Sequence, residues 1–147
     1  MEIKALSKTG YNRFADQEMK LFFSDFFGNA AGRDHYLIYS THEKKLFFRA
    51  VEKGKTIGVV SLRIGRNIAN IGAFVVSKSS RGAGAGRMLL EKCEQVAKKN
   101  RCKKIWLWTL PSIKAYGFYK RNGYIEEARL EKHWGGKYPV SVMSKFL

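Results

Sequence analysis

The chain has 147 residues, of which 45% are hydrophobic and 14% aromatic. This composition suits a packed core and excludes a disordered protein, and we expect a single domain over residues 1–147. No stretch approaches the run of about 18 apolar residues that a membrane span needs, and the N-terminus lacks the apolar centre of a signal peptide. The protein is therefore predicted to be cytoplasmic, without membrane contact.

The chain is strongly basic. It carries 28 Lys and Arg against 12 Asp and Glu, a net charge of +16, and the excess does not form a basic tail. Such a field attracts anions: a phosphorylated cofactor, an acidic substrate or RNA. Charge alone does not separate these classes. Cys93 and Cys102 are too few for a disulfide framework and lack metal-ligand spacing, so we expect reduced thiols and no metal site.

The first half of the chain predicts one helix between strands. "IKAL" is a short predicted strand. An amphipathic helix ending at Gly28–Asn29 follows from the helical spacing of Met19, Phe22, Phe23, Phe26 and Phe27. Residues 29–45 show no clear pattern. The stretch "KLFFRAVEKGKTIGVVSLRIG" predicts two strands around a tight turn at Glu52–Lys55.

The second half predicts alternating strands and helices. "NIANIGAFVVS" and "KKIWLWTL" are predicted strands, separated by a helix whose apolar stripe is Leu89, Leu90, Cys93, Val96 and Ala97. "PSIKAYGFYKRNG" predicts a short helix between Pro111 and Gly123. The strands "YIEEARL" and "VSVMSKFL" follow, joined by the connection "EKHWGGKYP". The order predicts a mixed α/β domain.

The stretch Arg81-Gly82-Ala83-Gly84-Ala85-Gly86 lies between a predicted strand and a predicted helix. Free backbone N–H groups and the helix dipole make such a turn an anion site. The stretch lacks the Lys-Ser/Thr ending of a P-loop, and its glycine spacing differs from the dinucleotide fingerprint. The anion must therefore belong to another class.

The stretch resembles the acyl-CoA motif (Q/R)-x-x-G-x-(G/A) of the GNAT superfamily of N-acetyltransferases. A second family signature is matched by Ser112, Ala115, Phe118-Tyr119 and Gly123-Tyr124. Residues 45–147 resemble the family in their motifs, and the first 44 residues resemble it only in the layout of their predicted elements. It implies a GNAT fold, with a mostly antiparallel sheet of six to seven strands, splayed at the acyl-CoA site and flanked by about four helices. It also implies acetyl-CoA as the cofactor.

The resemblance implies where coenzyme A lies. The N–H groups of residues 82–87 would hold its pyrophosphate, with help from two arginines, and the end of the preceding strand would line its pantetheine arm. Ser112 stands where the family has Asn; serine can still hydrogen-bond the pantetheine, but its side chain is shorter and offers one hydrogen-bonding group fewer. The implied cofactor-binding residues are Phe74, Val75, Val76, Arg81, Gly82, Ala83, Gly84, Ala85, Gly86, Arg87, Ser112, Ala115, Phe118 and Tyr119.

By the same resemblance, Tyr119 is the general acid that protonates the leaving thiolate while a primary amine attacks the thioester directly. The general base stays open between His133 and water. Other candidates are His35, His42, Glu52, Glu126 and Glu127. His133 is the most interesting of them, because its connection borders the acceptor site in this family and Trp134 stands beside it.

The acceptor is left open as a small-molecule or protein amine, and the positive charge favours an anionic or RNA-attached one. Two alternatives remain: a basic module that binds RNA or a ribosomal surface on the same scaffold, and an acetyltransferase acting on aminoacyl-tRNA. The apolar final strand "VSVMSKFL" could extend a sheet across a homodimer.

Overall fold

The structure, a computed structural model, describes residues 44–65 and 67–147 together with residues 7, 9, 10, 14, 17 and 18. The predicted strand "IKAL", the predicted helix at Met19–Phe27, and the histidines at 35 and 42 lie outside the described residues. The resemblance implied about four helices; residues 44–147 contain two, and the described residues 9, 10, 14, 17 and 18 are also helical. It includes no helix long and apolar enough to cross a bilayer.

Six strands and two helices alternate along residues 44–147. The first three strands are β1 (Lys44–Glu52), β2 (Lys55–Ile64) and β3 (Ile68–Val76). A short 3-10 turn at Lys78–Ser80 leads to α1 (Ala85–Lys99), which is followed by β4 (Lys104–Thr109) and α2 (Lys114–Arg121). The last two strands are β5 (Ile125–Trp134) and β6 (Tyr138–Phe146).

The strands form one six-stranded sheet in the order β1-β2-β3-β4-β6-β5. Every neighbouring pair is antiparallel except β3 and β4, which run parallel. The parallel pair follows from the connection through α1, because parallel neighbours need a crossover of a dozen or more residues. The mixed α/β fold with a mostly antiparallel sheet is thereby confirmed.

The ladder between β3 and β4 is short. It contains three pairs, Ile68–Lys104, Ala69–Ile105 and Asn70–Trp106, although both strands continue beyond the last pair. The side-chain amide of Asn70 donates a hydrogen bond to the Trp106 carbonyl at 3.3 Å, at the point where the ladder ends. The backbones of 71–76 and 107–109 therefore face each other across a gap in the sheet.

A β-bulge changes the face that β3 presents to the helices. Val60 pairs with Phe74 and Leu62 pairs with Ile71, so that Ser61 alone stands opposite two residues of β3. Bulges of this kind bend a strand and re-aim its side chains. Before the bulge Ala69 and Ile71 are buried in the core, and after it Phe74 and Val76 pack against the same core.

The core lies between the sheet and α1. The helix forms because its apolar residues recur on one stripe, and that stripe is buried as Leu89, Leu90, Cys93 and Ala97. The stripe packs against β1 to β4, where it meets Leu62, Ile71, Ile105 and Leu107. Both cysteines are buried and free, as expected of small apolar side chains.

The final hairpin differs from the prediction in one respect. Residues 131–134 were expected in the connection between the last two strands, but β5 extends to Trp134 and the turn is confined to Gly135–Lys137. The pairing is irregular between Leu130 and Trp134, and Lys132 has a φ of 50°. The irregularity interrupts the alternation of apolar residues that marks a strand in sequence, which is why the strand appeared to end early.

The apolar stripe of α1 yields a test of the packing. We expect Leu90→Ala to lower the free energy of unfolding by about 2–5 kcal/mol, because it leaves a cavity in a dense core. Met88→Ala in the same helix should change it by less than about 0.5 kcal/mol, since Met88 is 68% exposed and Leu90 only 1%. Urea unfolding measures both values, and equal losses would contradict the burial of this stripe.

Candidate active site

The glycine-rich loop ends in a free helix N-terminus. Gly82 and Gly84 have φ values of 86° and 89°, a region that costs other L-residues about 1–2 kcal/mol. An added Cβ at either position would meet no atom of the described residues within 4 Å, so the loop faces open space within this part of the chain. Gly84 is the N-cap of α1, and the first helical hydrogen bond runs from Met88 N–H to its carbonyl at 3.0 Å.

This arrangement fits a pyrophosphate. The N–H groups of the first helical turn have no intrahelical partner, and the first turn of α1 carries no acidic residue that would compete for them. The partial positive charge of the helix terminus adds to the attraction. The loop that the sequence singled out therefore has a geometry suited to binding an anion.

The two arginines that flank the loop make different contacts. Arg81 donates from Nε to the carbonyl of Val76 at 3.1 Å, which ties the loop to the end of β3. Arg87 forms an exposed ion pair with Glu91 at 2.8 Å, one helical turn away. Exposed pairs of this type are worth little, so a phosphate can replace Glu91 as the partner of Arg87.

The loop, β3 and α2 converge on one aromatic cluster. A Cβ at Gly86 would lie 3.6 Å from the ring of Phe118 and 3.8 Å from Val76, which are ordinary contact distances. The ring centroid of Phe74 is 6.1 Å from that of Phe118 and 6.3 Å from that of Tyr119. Five of the residues singled out in the sequence thus lie together.

Tyr119 lies at the base of this cluster and is 7% exposed. Its ring packs against those of Phe118 and Tyr124, with centroid distances of 5.3 and 5.7 Å. Burial, and secondarily the neighbouring Cys93, raise the pKa of its phenol to about 12. The phenol therefore stays protonated at neutral pH, and it lies on the helix side of the gap between β3 and β4.

Other residues of the motif are placed less centrally. The side chain of Val75 is 54% exposed and lies on the sheet face opposite that of Phe74 and Val76. On the helix side, therefore, only the backbone of Val75 borders the gap. Ser112 is exposed and precedes α2, whose N-cap is Ile113. Ala115 is partly buried against the core, where a small side chain lets α2 approach.

Two of the candidate bases are held in ion pairs. Glu126 bonds Arg129 at 2.9 Å and accepts from the Ser141 hydroxyl at 2.9 Å. Arg129, then Tyr116 and Ser141, hold the pKa of Glu126 at about 2. Glu127 pairs with Lys104, which lowers its pKa. Carboxylates so occupied are poor proton acceptors near neutral pH.

His133 lies elsewhere, at the wall of a cavity of about 630 Å³. Its other walls are Trp106, Trp108, Trp134, Leu130 and two valines of β6. Trp106 and Trp108 alternate with Ile105 and Leu107 along β4, so the cavity lies on the sheet face opposite the helices. His133 thus faces a cavity, while Glu52 ends an exposed strand.

Sequence reasoning did not identify this cavity or the bulge. The pair Trp106 and Trp108 was visible as alternate residues of "KIWLWT", which places both indoles on one face of a strand. The bulge left no sequence signal beyond Gly72, whose added Cβ would lie 2.6 Å from the Ser61 hydroxyl. Among the described residues, no group of three or more His, Cys, Asp and Glu side chains could hold a metal ion.

Comparison with known proteins finds acetyltransferases among the relatives of this chain. An N-acetyltransferase of Chlorobaculum tepidum, itself uncharacterized, is 36% identical over 81 residues, which are 54% of this chain and 50% of that protein. The chain thus matches about half the length of this relative.

Two crystal structures share the fold. An acetyltransferase from Bacillus cereus superposes with a TM-score of 0.73 at 22% identity, covering 100% of this chain and 98% of that one. A GNAT family acetyltransferase from Elizabethkingia anophelis with acetyl-CoA bound has a TM-score of 0.63 at 17% identity, over 69% and 75% of the two chains.

A family model extends this likeness over most of the chain. The model of the acetyltransferase (GNAT) family matches residues 11–124, from well before β1 to the start of β5. Its range takes in the glycine loop, the gap between β3 and β4, and Tyr119. The motif, the geometry and the comparisons agree, and the chain belongs to the GNAT family of acetyltransferases.

Proposed function

We propose that this protein is an acetyl-CoA-dependent N-acetyltransferase that acetylates a primary amine, with Tyr119 as the general acid. The observation that carries the proposal is the convergence of three features: free N–H groups at Gly84–Arg87, the gap between β3 and β4, and the buried phenol of Tyr119. Each feature fits a different part of acetyl-CoA, which is an elongated, phosphorylated thioester.

The chain's residues hold the phosphate end of that molecule by charge and by backbone donors. Residues 44–147 contain 23 of the 28 basic residues and six of the 12 acidic residues. Four of those six acids are ion-paired, and the basic excess makes the surface of residues 44–147 strongly positive. A positive surface raises the local concentration of an anionic ligand and speeds its association.

The gap supports the linear arm. Backbone groups of residues 71–76 lack a neighbouring strand on the β4 side, and unpaired strand groups bind an extended ligand as they would bind another strand. Phe74 and Val76 give that channel an apolar wall toward α2. A thioester at the end of the arm would therefore reach the cluster that contains Tyr119.

The transfer forms one N–C bond and breaks one C–S bond. The amine nitrogen attacks the acetyl carbonyl carbon, and backbone N–H groups of β3 that face the gap stabilise the oxygen as it gains charge. The thiolate leaves and takes the proton of the Tyr119 hydroxyl, and the phenolate regains a proton from solvent. The amine loses one proton, either to His133 or to water, so the products are the N-acetyl amine and the free thiol.

A matched pair of glycine variants tests the loop. We expect Gly84→Glu to reduce acetyl-CoA affinity by about 10-fold or more, because a carboxylate at the helix N-terminus repels the pyrophosphate. Gly54→Glu is the control: Gly54 also has a positive φ, 77°, and open space around it, but it lies in the β1–β2 turn. Isothermal titration with acetyl-CoA measures both affinities.

Two results of that titration would count against the proposal. Equal losses in the two variants would show that added charge or strain, and not the site, lowers the affinity. A wild-type protein that does not bind acetyl-CoA would contradict the enzyme proposal itself and favour RNA binding, which would then fall steeply with salt concentration.

Tyr119 has a conservative test. We expect Tyr119→Phe to lower kcat by about 100-fold, the contribution of a positioned general acid, while the dissociation constant for acetyl-CoA changes little. The control is Tyr124→Phe, which removes a hydroxyl from a ring 5.7 Å away that is also buried. Steady-state rates of thiol release give both values, and undiminished turnover in Tyr119→Phe would remove this residue from the mechanism.

The pKa of Tyr119 predicts the alkaline behaviour. The folded-state pKa of about 12 exceeds the value of about 10 in an unfolded chain. The stability due to the neutral phenol is therefore complete below pH about 10 and is lost as the pH rises through about 12. We expect kcat/KM to show no alkaline decline from this group up to pH about 10. A decline in kcat/KM below pH about 10 that disappears in Tyr119→Phe would contradict the raised pKa.

A further inference from the structure

The cavity beside His133 has the size of a small-molecule site. Its volume of about 630 Å³ lies within the range of about 300–1,000 Å³ that is usual for ligand pockets. It is built on three neighbouring strands, with Trp108 opposite Val142 and Leu130 opposite Val140 in the ladders. A site on paired strands is held more rigidly than a site on loops.

The cavity borders the gap in the sheet. Trp106 forms part of the last pair between β3 and β4, and Trp108 lies two residues further along β4, where β3 is no longer paired to it. Tyr119 lies on the opposite face, among the residues that pack under α1. A molecule in the cavity therefore approaches the gap from the side opposite the phenol.

The lining has a specific chemistry. Two of its indoles, Trp108 and Trp134, are 48% and 50% exposed although they contact each other edge-to-face at a centroid distance of 4.9 Å. Large half-exposed aromatic surfaces of this kind mark binding sites, and indole faces favour planar rings. Among the described lining residues His133 is the one titratable group, and no carboxylate is present to hold a polycation.

We infer that this cavity is the acceptor site and that the acceptor is a primary amine carrying one planar aromatic body. This inference rests on the proposed function. The ring packs on the three indoles, and the single amine extends to the gap. A polyamine or an amino sugar with several ammonium groups is disfavoured, because the surface of residues 44–147 is strongly positive and the described lining residues of the cavity include no carboxylate.

Tryptophan fluorescence tests the inference without turnover. The chain has three tryptophans, and all three line this cavity, so the emission reports on this site alone. We expect 2-phenylethylamine to change the emission saturably, with a Kd of about 1 mM or tighter. Hexylamine, which has one amine but no ring, and spermidine should bind at least about 10-fold more weakly. No response to 2-phenylethylamine, or an equal response to hexylamine, would overturn the inference.

Variants separate this inference from the proposed function. Trp108→Leu and Trp134→Leu should each raise the KM for 2-phenylethylamine by about 10-fold without changing the Kd for acetyl-CoA. Because both indoles are half-exposed, we expect both variants to fold. Phe47→Leu is the control, because Phe47 is exposed on β1 at the other edge of the sheet. Wild-type protein that binds acetyl-CoA without an emission response would overturn this inference alone. An emission response without acetyl-CoA binding would instead overturn the proposed function.

Discussion

The early end of the β3–β4 ladder is the constraint on which the rest of the site depends. Two parallel strands normally pair along their shared length, yet here pairing stops at Asn70 and Trp106 while both strands continue. The side-chain amide of Asn70 bonds the Trp106 carbonyl at that point. Backbone groups of β3 beyond it have no partner in β4, and unpaired strand groups of this kind can bind an extended ligand. The gap also joins the two faces of the sheet.

The bulge in β3 makes this gap asymmetric. It places Phe74 and Val76 toward α2, where they meet Phe118 and Tyr119. Without the extra residue the alternation would turn Ala73 and Val75 toward the helices, and the aromatic cluster would lose one of its rings. The glycine loop lies against the same cluster, since a Cβ at Gly86 would be 3.6 Å from the ring of Phe118, an ordinary contact distance.

The sequence predicted those elements whose signal is local. The stripe of α1, the turn at Glu52–Lys55 and the glycine loop each follow from residue spacing and turn chemistry, and all three are present. The cavity and the bulge could not be predicted in this way, because both depend on the register between strands that are distant in sequence. His133 was misplaced in a loop for the same reason: an irregular pairing in β5 hides the strand.

The two faces of the sheet differ in chemistry, and this difference suits a two-substrate reaction. The helix face offers free N–H groups, cationic side chains and one protonated phenol with a pKa of about 12. The opposite face offers indoles, aliphatic side chains and an imidazole. A proton donor is needed where the thiolate leaves, and a proton acceptor where the amine arrives. Burial keeps the proton on the Tyr119 phenol near neutral pH, so this group can donate a proton there but cannot take the one that the amine loses. The sheet therefore separates the proposed donor, on the helix face, from the cavity in which the proposed acceptor would lie.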